Sequence, residues 1–281
     1  LDELDRWNES LACFSEALAL QGDSATTYFN RGNGYRKRCQ WTQAIADYDL
    51  ALTLQPGFVQ ALLNRGSAYH DQLKLDRAVA DFDAAIAAAP NYAEAHFNKA
   101  LTLLLQGNFA AGLPLHEWRW KTIGARGEDR NFPQPQWTGQ MPLTGKTILL
   151  HAEQGLGDSI QFVRYTRLLA LAGAHVVLEA PIPLASLLKR VEGVDTIVRR
   201  GEPLPAFDVH CPLLSLPLAL GTRVDTIPGT RGYLSAAPQR LAHWSEVLGP
   251  RAATSRVGLV WSGSTWHTND RNRSIPLAQM L

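Results

Sequence analysis

No apolar run in this 281-residue sequence approaches the roughly 20 residues that a membrane-spanning helix needs. No basic, apolar, small-residue leader opens the chain, and no block of like charge interrupts it. The net charge of +1 gives no broad basic field for nucleic acid. Three cysteines, Cys13, Cys39 and Cys211, stand far apart and show no metal spacing. They are expected as reduced thiols in a cytoplasmic protein. No carboxylate cluster would hold a metal, and none is expected. What is present is ordinary for a globular chain, 46% hydrophobic and 19% charged, with room for about two domains. The sequence starts at Leu1 rather than Met and ends at Leu281 within a pattern that opens a new unit. A piece of a longer chain, cut at both ends, is expected.

The first part repeats. At a shift of 34, Gly32, Gly66 and Ala100 align, as do Tyr35, Tyr69 and Leu103. Ser10, Ala44, Ala78 and Gly112 fall in register, and so do Phe14, Tyr48, Phe82 and His116. Pro56 and Pro90 close two units. Small residues let paired helices approach, aromatics fill the space between them, and proline cannot continue the second helix. The spacing predicts helix pairs over 25–38 with 41–54 and 59–72 with 75–88. The first unit lacks its first helix, and the fourth is irregular, with Pro114 inside its second helix and His116 in place of an aromatic. This pattern resembles the tetratricopeptide repeat, and the resemblance covers residues 1–120. It implies an α-solenoid of stacked helix pairs.

Asn30, Asn64 and Asn98 recur at one position of each first helix. Each amide offers a donor and an acceptor, so the row suits an extended peptide in the repeat groove. It is similar to the asparagine ladder of O-linked N-acetylglucosamine transferases. Solvated side chains or bonds between neighbouring repeats are the alternative reading. Arg31, Arg65 and Lys99 follow the asparagines, and Asp47 and Asp81 recur on the second helices. These charges are expected to pair with one another.

Residues 121–145 hold four glycines and three prolines, a density that breaks helix and strand alike. This segment is the expected linker. Trp118, Trp120 and Trp137 flank or lie in it and are expected as an aromatic clasp between domains.

Beyond it, strands are expected at 147–152, 175–180, 194–199, 207–211 and 256–262, with helices at 158–172, 183–190 and 238–248. Such alternation predicts a Rossmann-like parallel α/β fold, whose ligands sit beyond the strands' carboxyl ends. The first strand runs into "HAEQGLGDSIQF", His151 to Phe162. Gly155 and Gly157 begin a dinucleotide fingerprint, but Ile160 stands where its third glycine belongs, although Glu179 lies at the distance of a ribose-binding acid. Asp158 suits a helix cap and equally a general base toward an acceptor hydroxyl. Near the end, Ser262, Gly263, Ser264 and Thr265 precede His267, Asn269, Asp270, Arg271 and Arg273, which suit either a diphosphate or a solvated turn.

The GLGD turn, the interval of about 100 residues and this second motif together resemble the heptosyltransferase-type glycosyltransferases of GT-B architecture, in the tetratricopeptide-fused form found in bacteria. The resemblance covers 146–281. It implies an acceptor-side half at 146–250 and the start of a nucleotide-sugar-binding half at 251–281, most of which lies outside this sequence. It implies Asp158 as the base, Gln154, Gly155 and Gly157 as the acceptor loop, and Arg273 with His267 on the donor phosphates. The function implied is sugar transfer from a nucleotide-diphosphate donor to an acceptor hydroxyl, with a protein or peptide held by the repeats. The sugar nucleotide is a substrate rather than a cofactor. The rival reading is a non-catalytic interaction scaffold with a degenerate transferase-like part.

Overall fold

The computed structural model describes residues 2–21, 23–122, 130–229, 232–250 and 274–280. The chain divides into two compact units, Leu1–Ser235 and Ala236–Leu281. The first unit contains both a helical region and a parallel sheet.

The helical region begins with one long helix, α1 (Asp2–Gln21). Three hairpins follow: α2 (Ala25–Lys37) with α3 (Trp41–Leu54), α4 (Val59–Asp71) with α5 (Leu75–Ala88), and α6 (Ala93–Leu105) with α7 (Phe109–His116). The repeat spacing placed the first four of these to within a residue. Packing explains the small residues. A Cβ on Gly32 would lie 2.8 Å from the Tyr48 ring, and one on Gly66 would lie 2.7 Å from the Phe82 ring. Tyr48, Phe82, Ala44 and Ala78 are fully buried in these crossings. Each hairpin turn closes alike, with bonds Gln40 N to Tyr35 O, Lys74 N to Tyr69 O and Asn108 N to Leu103 O at 3.0, 2.9 and 2.8 Å. The residue before each donor is left-handed: Cys39, Leu73 and Gly107 at φ 58°, 58° and 78°. This is the Schellman closure that glycine favours, here adopted twice by residues with side chains.

The fourth unit departs from the pattern. Helix α7 spans only eight residues and carries Pro114 inside it. It then tightens into a 3-10 turn, Glu117–Lys121. Proline therefore does not stop this helix where it falls. The Asn108 side chain caps the start by accepting from Ala111 N.

The α/β part holds four parallel strands, β1 (Thr147–His151), β2 (His175–Ala180), β3 (Thr196–Arg199) and β4 (Val209–Pro212), in the order β3-β2-β1-β4. The residues expected as a fifth strand, 256–262, lie outside the described residues. The single helix expected over 158–172 is broken into α8 (Leu156–Phe162), a 3-10 turn and α9 (Thr166–Leu171). Short helices α10 (Ala185–Leu188) and α11 (Leu216–Ala219) follow β2 and β4.

The two faces of the sheet differ. One face carries Ile148, Leu150, Val176, Leu178, Val209 and Cys211, which pack with Val163, Leu169, Leu188 and Leu216 of the helical segments. The other carries Leu149, Val177 and Val198, covered by Phe132, Leu204 and Phe207 from irregular chain. A parallel strand buried on both faces reads as a continuous apolar run. On this second face the run gives way to His151, Glu179 and His210, residues of the same strand parity.

The second unit holds α12 (Pro238–Leu248), with Leu241, Trp244, Val247 and Leu248 exposed, and a short α13 (Leu277–Met280). Among the described residues, no helix is long and apolar enough to cross a membrane.

Candidate functional site

Asn30, Asn64 and Asn98 are all half-buried on the first helices. Two of them bond to the neighbouring repeat: Asn64 Nδ2 donates to Asn33 Oδ1 at 2.7 Å, and Asn98 Nδ2 to Ser67 Oγ at 3.3 Å. Asn33 Oδ1 also accepts from the Tyr48 hydroxyl at 2.8 Å. These links run from α2 to α4 to α6, so the first helices form one continuous row. They also fix the amide rotamers.

The flanking charges pair as their spacing suggested. Arg31 forms a two-point contact with Asp47 at 2.8 and 2.7 Å, and Arg65 does the same with Asp81 at 2.8 and 2.6 Å. Arg65 also reaches Asp49 of the preceding repeat at 2.6 Å. Lys99 has only that backward contact, to Asp83 at 2.5 Å, because Leu115 stands where the fourth unit would need its aspartate. The hydrogen bonds and charge of Asp81 and Asp49 outweigh the cost of burial and raise the Arg65 pKa above its ordinary value.

The GLGD turn follows β1. Its left-handed residue is Gln154, at φ 56°, and neither glycine carries a positive φ. Gln154, Gly155 and Gly157 are exposed, and a Cβ on Gly157 would meet nothing within 4 Å. The Asp158 carboxylate is half-buried and accepts from Gly155 N at 3.0 Å, so it caps the turn that opens α8. Glu179 is engaged in the sheet's own architecture: Arg130 grips it with two nitrogens, at 2.5 and 3.0 Å. That ion pair engages the carboxylate that the dinucleotide reading would place on a ribose. His267 and Arg273 lie outside the described residues, as does the loop from Ser262 to Thr265.

The three tryptophans do not form one clasp. Trp118 stacks on His96 of α6 at 3.8 Å, with Lys121 over its ring. Trp120 lies against Arg119. Trp137 is buried in the α/β core, its Nε1 donating to Met141 O. The helical region is tied to the segment after β1 by Arg119, which is 2% exposed. It donates to Glu153 Oε2 and Oε1 at 3.1 and 2.9 Å, to Glu117 Oε1 at 2.6 Å and to Ser215 Oγ at 2.6 Å. Leu214 N completes the shell of Glu153 at 3.2 Å. Burial alone would depress the Arg119 pKa, but the two glutamates hold it above its ordinary value. Sequence reasoning missed this cluster and the buried His151, and it offered Glu179 only as a ribose-binding acid. A signal for both was present: a polar residue follows a run of apolar ones at the end of β1 and one place before the end of β2.

The helical region can now be compared with known proteins. A tetratricopeptide-repeat family model matches residues 29–93 and 63–116. Residues 29–116 are tetratricopeptide repeats. Protein FlbA of Caulobacter vibrioides is 26% identical over 183 residues, which cover 59% of this chain and 30% of FlbA. The chain thus spans under a third of the length of that relative. Among solved structures, the Arabidopsis OM64 TPR domain matches at 29% identity and TM-score 0.34, over 36% of this chain and 83% of that one. MamA matches at 16% and 0.40, over 45% and 74%. The TPR2B domain in the pHsp70 complex of yeast Sti1 matches at 21% and 0.35, over 38% and 87%. Beside its tetratricopeptide repeats, the chain carries the small four-stranded parallel sheet. Among the described residues, no group of three or more His, Cys, Asp or Glu could hold a metal ion.

Proposed function

We propose that the tetratricopeptide repeats bind a protein partner through an extended peptide laid along α2, α4 and α6. The observation that carries this reading is the row of half-buried asparagines, Asn30, Asn64 and Asn98, two of them held in place by bonds between repeats. An amide fixed by one N–H keeps a carbonyl oxygen and a second N–H for a peptide backbone, and pre-ordering lowers the entropy cost of binding. The test is selection of peptides from a random display library on the whole chain. The best binder is then measured against Asn30→Ala, Asn64→Ala and Asn98→Ala together. A loss of at least tenfold supports the groove, and unchanged affinity refutes it.

A second reading assigns sugar transfer to the α/β part, with a nucleotide-diphosphate sugar as donor. The order β3-β2-β1-β4 favours it, because the GLGD turn leaves β1 beside the point where chain order reverses, where open parallel sheets take ligands. In this reading the exposed turn of Gln154, Gly155 and Gly157 admits the acceptor and Asp158 takes its proton. Arg273 and His267 contact the donor phosphates. The rival is a non-catalytic scaffold. Donor hydrolysis by the intact protein, wild type against Asp158→Asn, separates them: full activity in the variant removes Asp158 from the role of base, and no turnover by either favours the scaffold.

A further inference from the structure

A cavity of about 340 Å³ opens at the carboxyl ends of β1, β2 and β3, lined by Arg130, His151, Ala152, Glu153, Glu179, Arg200 and Gly201. It lies on the sheet face that carries His151 and Glu179, where simple packing would place apolar side chains. Its ionisable lining residues His151, Glu153 and Glu179 are buried, and buried ionisable groups around a concave pocket make it a candidate binding site.

The four charged lining residues, Arg130, Arg200, Glu153 and Glu179, balance in number, but they do not all pair with one another. Glu179 is matched by Arg130 through two nitrogens. Glu153 is matched by Arg119. Arg200 is exposed and spends one N–H on the Ala152 carbonyl, a neutral partner. No ion pair holds it among the described residues, and its planar fork keeps further N–H groups for an oxyanion. Arg130 meets Glu179 through Nη1 and Nη2 and lines the same cavity. Gly201, at φ 96°, turns the chain directly after β3 and leaves open space where a side chain would stand. His151 is held neutral, its pKa pushed down to about 3 by burial first, then by His210 and the three arginines Arg130, Arg200 and Arg119. It adds hydrogen-bonding capacity without charge.

We propose that this cavity binds a small molecule through an oxyanion, a phosphate or carboxylate group, received by Arg200 and Arg130 with His151 beside it. The volume admits a ligand of monosaccharide size around the anion. The proposal stands apart from peptide binding by the repeats and needs no sugar transfer.

The test is an NMR titration of the whole chain with inorganic phosphate, with acetate and with glycerol, following the arginine Nε–H signals and the Ala152 and Gly201 amides. Saturable shifts with phosphate or with acetate are expected, and which of the two saturates assigns the group. Arg200→Gln should weaken binding at least tenfold. Arg200→Lys, which keeps the charge but loses the fork, should weaken it less and guards against a folding artefact. Arg190→Gln, at an exposed arginine outside the cavity, should change nothing. Absence of saturation with both anions, equal shifts with glycerol, or equal weakening by Arg190→Gln overturns the proposal.

Discussion

The Arg119 guanidinium, in the turn that ends the repeats, donates to both carboxylate oxygens of Glu153, just past β1. Both side chains are almost wholly buried, at 2% and 4% exposure. This pair ties the last repeat to the sheet region within one compact unit. The short α7 gives way to the 3-10 turn that carries Arg119.

Truncation of one partner leaves the others buried and unpaired. Arg119→Leu is expected to destabilise the chain by about 3–5 kcal/mol, read as a drop in the urea midpoint. Arg119→Leu combined with Glu153→Leu should recover part of the loss, since two apolar groups need no partner. A double variant as unstable as the sum of the singles would refute the coupling.

The repeat charges should differ sharply in worth. Arg65→Met strands the buried Asp81, an expected cost of about 3 kcal/mol or more. Lys99→Met removes a contact to the exposed Asp83 and should cost no more than about 1 kcal/mol. Paired unfolding curves measure the difference.

Gly66→Ala places a methyl 2.7 Å from the Phe82 ring, whereas Gly57→Ala meets nothing within 4 Å. The first should cost about 1–3 kcal/mol through overpacking, and the second should lie within about 0.5 kcal/mol of wild type. Thermal melts of the two variants suffice.

Acid should weaken the fold through buried histidines before most carboxylates protonate. Burial, aided by Arg119, lowers the His116 pKa to about 4, and burial with its neighbours lowers that of His151 to about 3. The unfolded chain binds these protons near pH 6.5, so each histidine's contribution is present above that value and is lost as pH falls toward the folded pKa. From pH 7 to 5 each should remove up to about 2 kcal/mol. His116→Phe, which restores the aromatic of the other repeats, should flatten this dependence without lowering stability at pH 7. An unchanged slope would show that His116 does not titrate on unfolding.

How much was legible in the sequence depends on the range of the interaction. The 34-residue spacing of glycine, alanine and aromatic residues fixed α2 to α5 to within a residue, because helix pairing inside a repeat is set by neighbours close along the chain. Charge pairs such as Arg31 with Asp47 were legible for the same reason: the same 16-residue offset recurs with Arg65 and Asp81. The single helix expected after β1 came out as three short pieces, because packing against the sheet outweighed local periodicity. The left-handed backbone at Gln154 was not visible, since the adjoining glycines were the natural candidates for it.

The sequence by itself determined the repeats, their turns and the positions of the parallel strands, all of which rest on local period and on residue shape. Tertiary structure alone decided that Arg119 reaches Ser215, 96 positions away, and that Arg130 takes Glu179, 49 positions away. No period links such residues. Their pairing follows from which strand edges and turns the folded chain brings together, and from the rule that a buried charge is stable only beside its opposite.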